Sequence, residues 1–250
     1  MLRIGTAALA AAALLAGCGG GGGKPAIKVS AATSLKVAFT KYASTLKDAT
    51  PRFSFAGSDM LAAQIRQGAK PDVFASANSK LPEQLYAEGL VSKPVKFATN
   101  ALVLAVPAGD GKVKGLADLA KAGVTIAVGS PSVPIGSYTR QVLSGLGAAR
   151  SKAILAHVRS NEPDVGGVVG KLTQGAVDAG FVYVTDARAT GEKVRAIALP
   201  ASLQPNVVYE VAVVTGTRHA KQARAFVDGL LSGAGRGDLL AAGFRAPPGT

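Results

Sequence analysis

The chain has 250 residues, of which 48% are hydrophobic and 17% charged, with 31 glycines and no tryptophan. This composition excludes an intrinsically disordered chain and is typical of a globular protein with one large domain or two smaller ones. The formal net charge is +13, but the lysines and arginines are scattered and aromatic residues are few, so we expect no nucleic-acid partner. The charge favours weak attraction to anionic surfaces or ligands.

The first residues resemble a bacterial lipoprotein signal peptide. Residues 4–16 form an apolar run that is too short for a permanent membrane helix, and it ends at Leu15-Ala16-Gly17-Cys18, which resembles a lipobox. We therefore predict a signal peptide over residues 1–17, lipidation of Cys18, and an exported protein in the periplasm or at the outer face of the cytoplasmic membrane. The alternative is a small apolar cysteine inside a hydrophobic run. Cys18 is the one cysteine of the chain, so no disulfide framework exists.

A glycine-rich segment follows the cysteine. Gly19–Gly23 and Lys24 partly match a phosphate-binding loop, but Pro25 stands where that motif needs Ser or Thr, and no strand precedes it. Residues 18–25 are therefore predicted to be a flexible tether.

Strand and helix patterns then alternate almost without interruption, which predicts an α/β fold with largely parallel sheets. Ile27 and Val29 alternate as a strand, and apolar residues from Leu35 to Leu46 recur at helical spacing. Further strands are predicted at 53–56, 72–76 and 101–106, with helices over about 58–68 and 81–88.

The second half continues the alternation. It predicts helices near 116–121, 134–143, 151–157, 163–174, 220–231 and 237–242, and strands at 124–128, 180–184, 194–199 and 207–214. The long strands at 101–106 and 207–214 bracket the middle series, so we predict that the chain crosses between two lobes and returns. Lobe I is expected to comprise residues 26–102 and 207–250, and lobe II residues 103–206, with a hinged cleft between them.

No catalytic constellation stands out. His157 and His219 fall in helical patterns without a carboxylate or cysteine at ligand spacing, and such histidines are more often surface or hydrogen-bonded core residues. Glu162 and Asp164 flank Pro163, where acidic residues favour a helix N-terminus. We therefore predict no enzymatic activity, no cofactor and no metal held directly by side chains.

Four predicted helices share another feature, because each begins with small, hydroxyl-bearing, Gly or Pro residues. They start in the segments ATSL (32–35), GSD (57–59), VPIGS (133–137) and EPDV (162–165). Helix N-termini offer unpaired N–H groups to anions, and Ser and Thr add donors without charge. Each segment alone is typical of an ordinary N-cap. Four together favour an anion site, since each hydrogen bond to a charged group contributes about 1.5–3 kcal/mol.

Six segments, in order, resemble the periplasmic molybdate-binding proteins of ABC importers. They are AATSL at 31–35, FAGSDMLAAQIRQGAKPDVFASAN at 55–78, NALVLAVP at 100–107, VPIGSYTRQVLSGLG at 133–147, FVYVTDA at 181–187 and YEVAVV at 209–214. The resemblance runs from Ile27 to Phe244. It implies a type II periplasmic-binding-protein fold, with two lobes joined by two crossover strands. It also implies that neutral donors hold a tetrahedral oxyanion in the cleft.

The resemblance assigns five residues to the oxyanion. Ser34 and Ser58 would donate their hydroxyl and backbone N–H groups from lobe I. Ile135 and Val165 would donate backbone N–H groups from lobe II, together with the phenol of Tyr183, which by itself is typical of a core tyrosine. The implied partners are molybdate or tungstate and the membrane subunits of an ABC permease. The protein is also expected to be a monomer that is attached to the membrane through its lipid anchor.

Three positions depart from the family pattern. Asp59 follows Ser58 where a small or hydroxyl residue is usual, and we expect its carboxylate to point outward or to cap its own helix. Lys70-Pro71 replaces a smaller pair, and Ile135 replaces a small residue. Three alternatives stay open: the same fold with sulfate, phosphate or a small carboxylate, a secreted hydrolase with Ser34 or Ser58 as nucleophile, and an adhesion or sensor lipoprotein.

Overall fold

The computed structural model describes residues 24–109 and 111–248. The predicted signal peptide over 1–17 and the predicted lipidation site Cys18 lie outside the described residues. Within the described part of the chain, no helix has both the length and the apolar character needed to cross a membrane.

Ten strands form across the described residues, and their bounds follow. They are β1 (Ala26–Ala32), β2 (Thr50–Ala56), β3 (Val73–Ser76), β4 (Val95–Asn100), β5 (Leu102–Pro107), β6 (Ile126–Gly129), β7 (Val158–Glu162), β8 (Ala179–Tyr183), β9 (Val194–Ala198) and β10 (Val207–Val213).

The same residues form nine α-helices and several short 3-10 turns. The helices are α1 (Lys36–Thr45), α2 (Ser58–Arg66), α3 (Lys80–Ala87), α4 (Pro134–Ser144), α5 (Ala148–Leu155), α6 (Val165–Thr173), α7 (Val184–Ala189), α8 (Ala220–Ser232) and α9 (Ala234–Ala242). The 3-10 turns lie at Thr33–Leu35, Leu116–Ala120, Gly191–Lys193 and Ala201–Leu203.

The strands form two five-stranded sheets, in the orders β2-β1-β3-β10-β4 and β7-β6-β8-β5-β9. Helices alternate with the strands of both sheets, which confirms the predicted two-lobed α/β fold. The prediction of largely parallel sheets is wrong, because β10 and β5 pair antiparallel with both of their neighbours.

The crossovers explain this difference. Only Ala101 separates β4 from β5, so the chain enters the second sheet directly from the cleft edge of the first. A strand that begins at the cleft must run away from it. By contrast, β6 runs towards the cleft and pairs in parallel with β7 and β8, to which it is connected through helices. The same reasoning applies to β10, which returns to the first sheet after β9.

Three elements were not predicted, and the starts of five others (β2, β6, α5, α6 and α9) differ from the prediction by two or three residues. The missing strands β4 and β7 lie at sheet edges, where several of their side chains are exposed and no apolar run marks them. Helix α7 follows β8 directly and has only six residues. Strand β2 begins before Phe53, at Thr50. Helix α6 begins at Val165 rather than at Pro163, because Asp164 is its N-cap.

Both faces of the first sheet are covered, which leaves its strand ends to form the cleft. On one face, the Phe39 ring of α1 packs 5.4 Å from Phe226 of α8 and 6.0 Å from Phe53 of β2, measured between ring centroids. On the other face, Leu61 of α2 joins a separate core cluster with Phe74 of β3. Burying each such side chain stabilises the fold by about 1.5–3 kcal/mol.

Candidate functional site

The five predicted site residues line one cavity between the two sheets. Its wall includes Ser34 and Ser58 from the first lobe and Ile135, Val165 and Tyr183 from the second. The cavity volume is about 20 Å³. For comparison, a cavity that holds one water molecule has a volume of about 10–15 Å³. A cavity of this size suits a ligand of a few atoms and excludes a sugar or a peptide.

Helix N-termini meet at this cavity, as the sequence predicted. The N-caps of α2 and α4, Gly57 and Val133, make no side-chain capping bond. Ile135 and Val165 lie in the first turns of α4 and α6, so their N–H groups have no carbonyl acceptor within their own helices. Unpaired N–H groups of several helices therefore converge on one point, where they suit an anion.

Only one of the four helix starts is capped by the side chain of its N-cap residue. Asp164 Oδ1 accepts a hydrogen bond from the backbone N–H of Gly167 at 3.1 Å. Asp164 is also the one charged residue among those that line the cavity, and no Lys, Arg or His belongs to that lining. The ordinary capping interpretation therefore fits Asp164, but this cap uses only the N–H of Gly167 and leaves the N–H of Val165 unpaired, as at the other three helix starts.

Ser34 is held in place by a tyrosine that the sequence did not single out as a site residue. Its Oγ lies 2.9 Å from the hydroxyl oxygen of Tyr209 on β10, and both groups are buried. Burial raises the pKa of Tyr209 well above its ordinary value, so the phenol keeps its proton and can donate it to Ser34. Either hydroxyl can donate this bond, and when Tyr209 donates, the hydroxyl hydrogen of Ser34 is left for a ligand.

Ser58 is oriented by a backbone group. Its Oγ accepts a hydrogen bond from the N–H of Ala77 at 3.1 Å, and the side chain is 1% exposed. A hydroxyl that accepts one bond still has its own hydrogen to donate. Ala77 comes directly after β3, so the end of that strand fixes the donor that begins α2.

Tyr183 ends β8, and its hydroxyl is buried without a hydrogen-bond partner among the described residues. Burial is the main cause that raises the pKa of Tyr183 well above its ordinary value, and the nearby Tyr209 phenol is the second. The two hydroxyls are close enough for this effect but do not meet hydrogen-bond geometry. A buried hydroxyl without a partner costs about 1–3 kcal/mol. Tyr183 therefore presents an unused neutral donor at the wall of the cavity.

Two other carboxylates near the site also have unpartnered oxygens. Asp59 Oδ1 is buried and makes no hydrogen bond, so the expectation that Asp59 points outward or caps its helix is wrong for this oxygen. Asp59 does not belong to the cavity lining. Asp186 Oδ2 is likewise buried and unpartnered, in the first turn of α7. Burial, assisted by the charge of Asp164, raises the pKa of Asp186 to about 7.

Direct contacts between the lobes close the cleft over the cavity. Thr33 Oγ1 donates a hydrogen bond to Asp164 Oδ2 at 3.0 Å, across 131 residues of sequence. Gly57 lies against the carbonyl oxygen of Pro163, in a space that a Cβ atom would overlap. Nothing local in the sequence marks these pairs, because each joins residues on different lobes.

Neither histidine lies in the cavity lining. His157 Nδ1 is 3.1 Å from the carbonyl oxygen of Val124, and His219 Nδ1 is 3.1 Å from Asp72 Oδ1. Among the described residues, no group of three or more His, Cys, Asp or Glu side chains is arranged to hold a metal ion.

Residues 27–245 match the family model of the bacterial extracellular solute-binding proteins. The chain belongs to this family. This solute-binding protein is 38% identical to the molybdate-binding protein ModA of Mycobacterium tuberculosis (strain H37Rv) over 231 residues, or 90% of this chain and 86% of that protein. It is 32% identical to the putative ABC transporter substrate-binding lipoprotein YvgL of Bacillus subtilis, over 90% of this chain and 91% of that protein.

A solved structure agrees with these relatives. The periplasmic molybdate-binding protein of Azotobacter vinelandii superposes on this solute-binding protein with a TM-score of 0.78 at 25% identity, covering 88% of this chain and 99% of that one. The resemblance inferred from the sequence motifs and the two-lobed type II fold are both confirmed. The family consists of exported proteins that bind a solute for transport.

Proposed function

We propose that this solute-binding protein captures molybdate, and also tungstate, in the cavity between its lobes and delivers the oxyanion to an ABC permease. The observation that carries this proposal is the set of neutral donors around one small cavity, supplied by both lobes without a basic side chain. The unpartnered phenol of Tyr183 belongs to this set. The ModA relative at 38% identity supports the choice of molybdate.

Donors alone favour a fully ionised ligand. The proton of monohydrogen phosphate would face donors and would need an acceptor. Asp164 is the one carboxylate in the lining, and its two oxygens already accept hydrogen bonds from Gly167 and Thr33. A protonated oxyanion would have to share one of these oxygens with Gly167 or Thr33, whereas a dianion needs no acceptor. Sulfate is also fully ionised, so its exclusion depends on the size of the closed cavity.

Binding is coupled to closure in this proposal. Lobe I, proposed as residues 26–102 and 207–250, supplies Ser34 and Ser58. Lobe II, proposed as residues 103–206, supplies the other donors. The hydrogen bond between Thr33 and Asp164 can form only when the lobes meet. Because the oxyanion contacts donors of both lobes, it binds the closed form more tightly and shifts the protein towards it. Release to the permease then requires the lobes to separate.

We further propose that the mature chain is a monomer anchored by lipid on Cys18, with residues 18–25 as its tether. The lipobox-like segment before Cys18 supports the anchor, as does the relative YvgL, which is described as a lipoprotein. The expected result of Cys18→Ala is transfer of the protein from the membrane fraction to the soluble fraction. Retention in the membrane fraction would contradict the anchor.

We also propose that the protein is not a hydrolase. Ser34 is paired with the phenol of Tyr209, and Ser58 with the N–H of Ala77, so neither serine has a histidine as a base. Labelling of either serine by a fluorophosphonate would contradict this view.

Isothermal titration tests the ligand assignment. The chain carrying Cys18→Ala is titrated with molybdate, tungstate, sulfate and phosphate, and we expect tight binding of the first two. Ser34→Ala and Ser58→Ala should each weaken molybdate binding by about 10- to 100-fold, since each removes a hydrogen bond to a charged ligand. Ser144→Ala, at an exposed position on α4 outside the cavity lining, is the matched control. Tight sulfate binding without molybdate binding would refute the assignment.

A further inference from the structure

A second cavity, of about 430 Å³, lies at the opposite end of β1 from the oxyanion site. Ala26, the first residue of β1, lines it, whereas Ala32, the last, lines the oxyanion cavity. The six steps between these residues span about 20 Å along a strand. The charged and titratable residues that line this second cavity define what we call the basic pocket: Lys28, Arg52, Lys70, Asp72, Arg218 and His219.

Within residues 24–109 and 111–248, four cations of the basic pocket have no salt-bridge partner. Lys28, Arg52, Lys70 and Arg218 are exposed, and among the described residues none of them forms a salt bridge. Lys28 and Arg52 are direct neighbours in the pairing of β1 with β2. By contrast, Arg66 outside the pocket pairs with Glu88 at 2.8 Å. The basic pocket therefore holds four cations against one carboxylate, so its net charge is positive.

The one carboxylate in the pocket is already committed to the protein. Asp72 Oδ2 accepts a hydrogen bond from the N–H of Lys28 at 2.6 Å, and Oδ1 accepts bonds from the Thr217 hydroxyl and from His219. Burial raises the pKa of Asp72, but these hydrogen bonds together lower it below its ordinary value. Asp72 thus ties β1 to the segment after β10 and fixes the shape of the pocket, and its single negative charge offsets only part of the charge of the four cations.

The pocket lies where the tether joins the fold. Lys24 Nζ donates a hydrogen bond to the carbonyl oxygen of Leu46 at 2.9 Å, and the backbone N–H of Thr50 donates to the carbonyl oxygen of Pro25 at 2.9 Å. The chain is therefore attached to lobe I from Lys24 onwards. The residues between Cys18 and Lys24 span at most about 21 Å when fully extended. A lipid on Cys18 would keep this end of lobe I close to the membrane surface.

We propose that the basic pocket binds the phosphate headgroup of an anionic phospholipid and holds the tethered end of lobe I against the membrane. The proposal rests on the lipid anchor proposed above. Lysine and arginine clusters recognise phosphate oxygens through charge-assisted hydrogen bonds, and the volume of the pocket admits a whole headgroup. In this orientation the oxyanion cavity at the other end of β1 faces away from the membrane and can load its ligand, and delivery to the permease requires the basic pocket to release the headgroup first.

Vesicle sedimentation tests the proposal on the full mature chain carrying Cys18→Ala, so that no acyl chain contributes. The pocket variant combines Arg52→Gln, Lys70→Gln and Arg218→Gln. The control variant combines Lys93→Gln, Arg150→Gln and Lys152→Gln, which removes the same charge from exposed positions outside the pocket. We expect binding to vesicles that contain phosphatidylglycerol and not to phosphatidylcholine alone. The pocket variant should bind about 100-fold more weakly, and the control should stay within a few-fold of the parent chain.

Three results would overturn the proposal: no binding of the parent chain to anionic vesicles, an equal loss in both triple variants, or saturation of the pocket by inorganic phosphate in a titration without vesicles. The last result would assign the pocket to a soluble anion. Both triple variants should keep the molybdate affinity and the thermal unfolding midpoint of the parent chain. A chain that binds anionic vesicles but not molybdate would contradict the proposed function alone, so the two failures are distinguishable.

Discussion

Gly57→Ala should prevent the cleft from closing fully without harming either lobe. Gly57 has φ −58° and ψ 135°, a conformation that alanine adopts freely, so the glycine is not needed for the backbone of its own lobe. A Cβ atom there would overlap the carbonyl oxygen of Pro163 on the other lobe, and would lie 2.8 Å from Asp59 Oδ1. The Asp59 carboxylate can rotate away, but the Pro163 carbonyl belongs to the backbone.

The size of the effect follows from this overlap. Atoms in ordinary contact lie about 3.5 Å apart, so relief requires the lobes to separate by roughly 1 Å at this point. The same movement would stretch the 3.0 Å hydrogen bond between Thr33 and Asp164 beyond bonding distance. Overpacking of this kind costs about 1–3 kcal/mol, which corresponds to molybdate binding weakened by about 5- to 150-fold.

Isothermal titration with molybdate measures the loss of affinity, and thermal unfolding of the ligand-free protein provides the second readout. The unfolding midpoint should stay close to that of the parent chain, because the restricted unfolded state of alanine offsets its poorer fit at the N-cap of α2. Gly237→Ala is the matched control, since a Cβ atom at that helical position meets no other atom within 4 Å. An unchanged molybdate affinity in Gly57→Ala would refute the contact between Gly57 and Pro163 as part of the ligand-bound state.

Three further variants test other parts of the site. Tyr183→Phe should weaken molybdate binding about 10- to 100-fold yet stabilise the ligand-free protein, because it removes a buried hydroxyl without a partner. A loss of both molybdate affinity and stability would instead indicate a structural role for the hydroxyl. Asp186, whose pKa rises from 3.8 to about 7, binds its proton more tightly in the folded state. The wild type should therefore lose stability relative to Asp186→Asn as pH rises from about 4 to about 7, by up to roughly 4 kcal/mol, and parallel pH–stability curves would contradict this. Thr33→Val should weaken molybdate binding by about 2- to 10-fold through loss of the bond to Asp164, while Thr173→Val, exposed on α6, should not.

Local patterns were sufficient for most elements and for the helix starts that meet at the cavity. The starts of α2 at Ser58 and α4 at Pro134 were predicted correctly, because small and Pro residues at a helix start act within one turn. The edge strands β4 and β7 were missed, because exposed strands lack the apolar run that marks buried ones. The antiparallel pairing of β5 and β10 was also missed, since strand direction depends on how the chain crosses between the sheets.

The sequence by itself determined the two-lobed α/β organisation and the helix starts that meet at the cavity, because hydrophobic periodicity and helix initiation depend on neighbouring residues. The tertiary structure decided how those donors are held. Ser34 meets Tyr209 across 175 residues, and Thr33 meets Asp164 across 131. The burial of the Tyr183 hydroxyl without a hydrogen-bond partner and the close approach of Gly57 to Pro163 also arise only in the folded, closed protein. Such contacts depend on distances in space, and neighbouring residues carry no local signal of them.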